Sequence, residues 1–227
     1  MVRKRNEDSI CINPELSFFA VADGMGGHLA GEVASGMALE LVAEQLKGCD
    51  CGDMETKLHN GVLAANRKIY DASRDDLTCR GMGTTITAAI IKKREMVLAH
   101  VGDSRAYLIR GDRICKVTED HSLVQEMLKQ GGITKEEARD HPHRNVLIRA
   151  LGTDPLVQVD MIKINLKKGD IILLCSDGLS GLVDDDDILK LVKSSGSPGE
   201  AVDSLVSEAL RRGGTDNISV IVVEIDE

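Results

Sequence analysis

The sequence contains no tryptophan, two tyrosines and two phenylalanines. A core so short of aromatics has to be filled by Val, Ile, Leu, Ala and Met, and a hydrophobic content of 42% supplies them. The same shortage argues against a protein that stacks bases on aromatic platforms. A formal net charge of −9 argues against one that displaces counterions from a nucleic acid. No stretch approaches the ~18 apolar residues of a membrane span. The opening MVRKRNEDS lacks the apolar stretch of a secretory signal. Repeats, low-complexity tracts and Pro/Ser-rich linkers are also missing, so one domain over residues 1–227 is the simplest organisation.

The six cysteines (Cys11, Cys49, Cys51, Cys79, Cys115, Cys175) are scattered, and four lie in or beside apolar runs, where a free thiol acts as a small hydrophobe. Cys49 and Cys51 have no second pair at zinc-ligand spacing. This usage suits a reducing, cytoplasmic setting.

Strands are expected at 9–13, 16–22, 84–92, 96–101, 104–109, 114–117, 170–175 and 217–225, and Gly111-Asp112 marks a hairpin. Helices are expected at 30–47, 54–73, 122–130, 184–194 and 198–212. In the first of these, Val33, Met37 and Leu41 with Ala34, Ala38 and Val42 make a wide apolar face. Residues 133–145, ITKEEARDHPHRN, are polar and poorly periodic and read as a mobile surface segment. Strands clustered together, with helices in pairs, predict an α+β fold of antiparallel sheets carrying helices on their outer faces.

One pattern recurs: an apolar strand, then Asp, then Gly or another small residue. It occurs in AVADGMGG (Asp23-Gly24), AHVGDSRAYL (Asp103) and ILLCSDGLSG (Asp177-Gly178), while Asp216 opens a strand in GGTDNISVIVV and Glu7-Asp8 precede the first. A single Asp-Gly usually marks a turn. Five such places gather carboxylates at strand ends, where they repel unless cations neutralise them. All-oxygen ligands favour Mg²⁺ or Mn²⁺ over zinc. Gly24 leaves room for its own carbonyl to approach such an ion. Arg3 is a candidate phosphate grip. His28 is a candidate proton donor, with helix capping or loop orientation as the alternative. The acidic run Asp184–Asp187 precedes an apolar-periodic helix and reads as N-capping and dipole compensation.

RKRNEDS, DGMGGHLAGEVAS, GMGTTITA, VGDSRAYL, TEDHSLVQEM, HRNVLIRALG, LCSDGLSGLV and GGTDNISVIVV occur in this order, from Arg3 to the C-terminus. They resemble the bacterial branch of the metal-dependent serine/threonine phosphatases, the protein phosphatase 2C-like (PPM) family. The resemblance implies a four-layer α-β-β-α sandwich with a binuclear metal centre at one end. It implies that phosphoserine and phosphothreonine monoesters are hydrolysed by direct attack of a metal-bridging water or hydroxide. Mn²⁺ or Mg²⁺ would fill two core positions, with a third, looser ion in bacterial members. By the same resemblance Asp23 bridges the core ions, the Gly24 carbonyl binds one, and Asp177 and Asp216 bind the other. Asp103 with Asp177 holds the third, and Glu7 and Asp8 act through bound water. Arg3 grips phosphate, His28 is a proton-donor or substrate-orienting candidate, and residues 133–145 form the flap beside the site. Family members carry a turn and a strand more before the arginine, whereas Met1 and Val2 alone precede Arg3 here. A less anchored Arg3 and weaker phosphate binding are therefore expected. The implied partners are phosphoproteins made by a bacterial Ser/Thr kinase, with no nucleic acid or membrane, and the chain is expected to be a monomer. A non-catalytic binding module, a metal-dependent nuclease and a dedicated stress-pathway phosphatase are the alternatives. Complete acidic motifs argue against the first and third, and the charge argues against the second.

Overall fold

A computed structural model of the chain describes residues 3, 5–26, 30–47, 53–75 and 77–226. Among them, ten strands form two antiparallel sheets. The first runs β1 (Asp8–Asn13), β2 (Phe18–Met25), β4 (Ile86–Lys92), β5 (Glu95–Val101), β8 (Asp160–Asn165), with the short β3 (Gly83–Thr84) paired to the end of β2. The second runs β10 (Val220–Glu224), β9 (Ile171–Cys175), β6 (Arg105–Arg110), β7 (Arg113–Lys116). The β6–β7 turn is Gly111-Asp112 as expected, with Gly111 at φ 59°.

Three apolar layers hold the sandwich. Val21, Leu98, Ile172, Leu174 and Ile221 pack between the sheets. α1 (Ala30–Lys47) and α2 (Met54–Asp75) cover the first sheet through Ala34, Ala38, Leu58, Val62 and Ile69. α6 (Asp185–Ser194) and α7 (Pro198–Arg211) cover the second through Ile188, Val192, Leu205 and Ala209. These are the layers of the four-layer sandwich that the family resemblance implies. The buried face of α1 is narrower than its sequence suggests. Ala34, Ala38, Leu39 and Val42 are buried, Met37 and Leu41 lie on the flank, and Val33 is 39% exposed. Small residues on the inner face let the helix axis lie close to the sheet.

Several elements depart from the sequence pattern. The strand expected at 84–92 breaks at Thr85, whose side chain bonds Asp23. β8 and the one-turn α5 (Asp177–Ser180) were not expected. Residues 133–145, expected as a mobile surface segment, contain α4 (Lys135–Arg139). Thr134 accepts from the Glu137 N–H and the Glu137 carboxylate accepts from the Thr134 N–H, a reciprocal cap that stabilises so short a helix. α3 (Leu123–Lys129) precedes it, capped by Ser122. Asp184 stands at the N-cap of α6 but makes no side-chain capping bond. It pairs with Arg139 of α4 instead, while Asp187 pairs with Lys190 and Arg212. The acidic run thus balances the helix dipole and docks α4 and α7.

β5 leads into β6 across the gap between sheets, and buried histidines brace this crossover. His100 Nε2 donates to the Glu119 carbonyl at 3.0 Å, and Thr87 Oγ1 lies 3.0 Å from Nδ1. Burial, reinforced by His121, pushes His100 down to about 4. An unfolded histidine titrates near 6.5, so the unfolded chain binds the extra proton first and stability falls with pH between ~6.5 and 4. Lowering the pH from 7.5 to 5 is expected to cost His100 ~2 kcal/mol. Urea unfolding should therefore show a larger acid loss for the wild type than for His100→Gln, since the other titrating groups are common to both. Equal losses would refute the assignment.

Candidate metal centre

The sandwich brings the acidic candidates to one end. Asp8 and Asp23 are paired across β1 and β2. Asp177 follows β9, Asp216 precedes β10, and Asp103 sits on the β5–β6 crossover. Asp23, Asp103 and Asp177 are half-buried: packed in protein on most sides, open on one. Burial first, then Asp177, Asp8 and Asp103, push Asp23 up to about 10. Burial and Asp177 push Asp103 up to about 8, and burial and Asp216 push Asp177 up to about 6. Burial also raises Asp8, although the Ser219 and Ser176 hydrogen bonds oppose it. As the side chains stand, no three of the described acidic, histidine or cysteine groups close into a ready ligand set. They form a shared field of repelling carboxylates.

The unpartnered oxygens of this field fit a cation. Asp8 Oδ1 and Asp177 Oδ1 are buried without a hydrogen-bond partner, and an unpartnered buried carboxylate oxygen is costly unless a cation faces it. Gly24 has no room for a side chain, since a Cβ there would lie 2.0 Å from the Gly31 carbonyl oxygen and 2.6 Å from that of Glu7. The Gly24 N–H donates to the Glu7 carbonyl at 3.1 Å, binding the N-terminal segment to the turn after Asp23. An oxygen-only donor set of this kind suits Mn²⁺ or Mg²⁺.

Neutral side chains fix where the carboxylates point. The Asp23 N–H donates to Thr85 Oγ1 at 2.9 Å, and its carbonyl accepts from the Thr84 hydroxyl and the Thr85 N–H. Thr85 Oγ1 is 2.8 Å from Ser104 Oγ, linking the Asp23 turn to the Asp103 crossover. Ser176 donates to Asp8 Oδ2 at 2.8 Å and accepts from the Ser219 N–H, joining the two sheets. Asn217 Oδ1 accepts from the Glu7 N–H and Nδ2 donates to the Arg5 carbonyl, which lays residues 5–7 beside Asp216. Ser35 of α1 donates to the Glu7 carbonyl. His121 accepts the Gly102 N–H on Nδ1, so its neutral ring carries the proton on Nε2, facing Asp160 at 3.1 Å. Gly102 itself is at φ 112°, and a Cβ there would strike Thr85. Sequence reasoning singled out the carboxylates and missed Thr84, Thr85, Asn217 and His121 as their supports. The motifs GTT, TDN and EDHS were visible, but nothing in their spacing tells which backbone they hold.

Arg3 NH2 lies 2.7 Å from Asp216 Oδ2 and is half-exposed. Its hydrogen bond to Asp216 raises it further, with Glu7 and Asp177 adding to the field. Glu7 is half-buried behind Gly31. His28 lies outside the described residues, as do Cys49 and Cys51. Cys175 is fully buried and its thiol is pushed up to about 12 by burial, so it packs rather than attacks.

The description Protein phosphatase 2C matches residues 4–212. The serine/threonine phosphatase stp of Listeria welshimeri is 40% identical over 230 aligned residues, covering 98% of this chain and 91% of the relative. The crystal structure of the Mycobacterium tuberculosis serine/threonine phosphatase PstP/Ppp aligns with a TM-score of 0.93 at 38% identity, over 100% of this chain and 95% of that one. A structure of the PstP catalytic domain in complex with two manganese ions aligns with a TM-score of 0.90 at 37% identity, over 100% of this chain and 94% of that one. With sequence identity and fold agreeing from end to end, the chain belongs to the protein phosphatase 2C family.

Proposed function

We propose that the chain is a metal-dependent protein serine/threonine phosphatase that uses Mn²⁺ or Mg²⁺. One observation carries this reading: buried and half-buried carboxylates from both sheets crowd together, and two of their oxygens, on Asp8 and Asp177, have no partner. The manganese complex of the PstP catalytic domain supports it. Asp23 would serve both core ions, the Gly24 carbonyl would hold one of them, Asp177 and Asp216 the other, and Asp103 with Asp177 a third. Glu7 and Asp8 would hold water at their margin.

When bound, the ions neutralise phosphoryl charge and acidify a water enough for direct in-line attack on phosphorus. The chain therefore needs no nucleophile of its own. The Ser104 and Ser176 hydroxyls are both engaged in hydrogen bonds, and the Cys175 thiol stays protonated. Arg3 leaves Asp216 and places its two-pronged guanidinium on the phosphoryl oxygens. The orphaned Asp8 oxygen takes a proton from attacking water, while His28 delivers one to the leaving alkoxide. Phosphoproteins made by a Ser/Thr kinase are the substrates. Action in a reducing cytoplasm suits the four free cysteines among the described residues.

Hydrolysis of p-nitrophenyl phosphate and of a phosphothreonine peptide should require Mn²⁺ or Mg²⁺. EDTA or Asp216→Ala should remove at least ~10²-fold of it. Turnover that survives both would overturn the metal assignment. At a Mn²⁺ concentration of about 100 Kd, melting should shift upward by ~5–10 °C. Asp23→Asn should abolish that shift and raise the melting point of the metal-free protein by relieving repulsion. A retained shift would remove Asp23 from the site. Arg3→Ala should raise KM for both substrates ~10-fold or more with a smaller change in kcat, and Arg3→Lys should recover only part. An unchanged KM would show that Arg3 does not touch phosphate.

A further inference from the structure

Beside the acidic site lies a groove of opposite character. It has a volume of ≈ 610 Å³ and is lined by Tyr70, Arg74, Arg80, Gly81 and Thr153 among others. In a chain with a net charge of −9, this lining carries two guanidinium groups and no carboxylate. Arg74 is preorganised: its guanidinium lies 5.7 Å from the Tyr70 ring centroid and NH1 donates to the Tyr70 hydroxyl at 3.1 Å. Arg80 is exposed on the turn that enters β3. Polar groups on the groove floor are already spent. Ser73 Oγ donates to the Tyr70 carbonyl, Thr153 Oγ1 to the Ala150 carbonyl, and the Gly152 N–H to Asn66. The arginines are thus the groups left to recognise a ligand. At the outer end a second hollow shares Tyr70 and Arg74 and adds Asp71, already paired with Arg67, and Asp75. The second hollow thus offsets its arginines with carboxylates, whereas the groove carries arginines alone.

The groove adjoins the phosphate site through β3. Met25 pairs with Gly83 and Gly24 with Thr84, and a Cβ on Gly26 would lie 2.8 Å from the Met82 Cα and 3.2 Å from the Gly81 carbonyl. Four steps along the chain lead from Arg80 to Thr84, at most ~14 Å, and one strand spacing adds ~5 Å. An extended substrate advances ~3.3 Å per residue, so Arg80 is within the span of about six residues of Gly24 at the acidic site.

We propose that this Tyr70–Arg74–Arg80 groove binds anionic side chains, carboxylate or a second phosphate, in the phosphoprotein segment whose phosphoresidue occupies the acidic site. It selects substrates with acidic flanks. The inference deepens the phosphatase reading and rests on it for the origin of the ligand. The acidic cluster alone would repel such segments, and the groove offsets this with cations placed to one side of it.

The test compares three fluorescein-labelled phosphothreonine peptides, with Asp, a second phosphothreonine, or Asn at positions three to five from the phosphoresidue. Anisotropy on the full chain without metal reads the groove, and p-nitrophenyl phosphate turnover with Mn²⁺ reads the reaction. The anionic peptides should bind ~3–10-fold tighter than the Asn peptide and lose that advantage in 0.5 M salt. Arg74→Glu with Arg80→Glu should erase the preference while leaving p-nitrophenyl phosphate kinetics and the melting point unchanged. Arg74→Lys with Arg80→Lys should keep part of it. A larger gain for Asp or for phosphothreonine identifies the preferred anion. Absence of preference in the wild type, or a preference that survives the double Glu substitution, overturns the proposal. Retained preference without p-nitrophenyl phosphate turnover supports the groove and counts against the phosphatase reading alone.

Discussion

The structure depends on mutual repulsion held in place. Asp8, Asp23, Asp103 and Asp177 come to one end of the sandwich, and burial together with their neighbours keeps them from ionising freely. The apolar layers resist this. Val21, Leu98, Ile172, Leu174 and Ile221 lock the two sheets face to face, so the carboxylates at their ends cannot move apart without breaking the core. The energy that would be released by separation is instead available to any cation that enters.

Holding charge in that arrangement requires neutral groups that add no charge of their own. Thr84 and Thr85 hold the Asp23 backbone, Ser176 holds the Asp8 side chain, Asn217 holds residues 5–7, and His121 holds Gly102 in its uncharged form. Each support reaches from a different part of the chain, so the site is built only when both sheets are formed. Two further charged pairs, Arg105 with Asp120 and Arg110 with Asp170, lie outside this set of supports. These salt bridges fasten the second sheet to its neighbouring loops, and the opposed charges of Arg105 and Asp120 act on Asp103 in opposite directions.

Electrostatics also organises the surroundings. Arg139 of α4 grips Asp184 and Arg212 grips Asp187, so the acidic run at the start of α6 anchors neighbouring helices. On the opposite flank, Arg74 and Arg80 set a local positive region within a negative molecule. A substrate approaching this end meets cation and anion side by side, an arrangement that orients a ligand as well as attracting it.

Much of this was legible in the chain. α1 spans the residues expected, because its apolar spacing and Gly-rich entry are local signals. The repeated strand-then-Asp pattern located the carboxylates, because turn chemistry and hydrophobic runs are also local. β8 was missed, since as an edge strand mixing Lys163 and Asp160 with Ile162 and Ile164 it carries a weak alternation. α4 was missed although Thr134 and Glu137 stand at capping-box spacing, because polar surroundings hide so short a helix. Residue identity and short-range periodicity were enough for the longer helices and strands, the apolar faces that supply the core, and the oxygen-donor chemistry. Only the folded chain decides which carboxylates face one another, which hydroxyls and amides aim them, and that Arg80 lies beside the same end, because those relations join residues up to 212 positions apart in the chain.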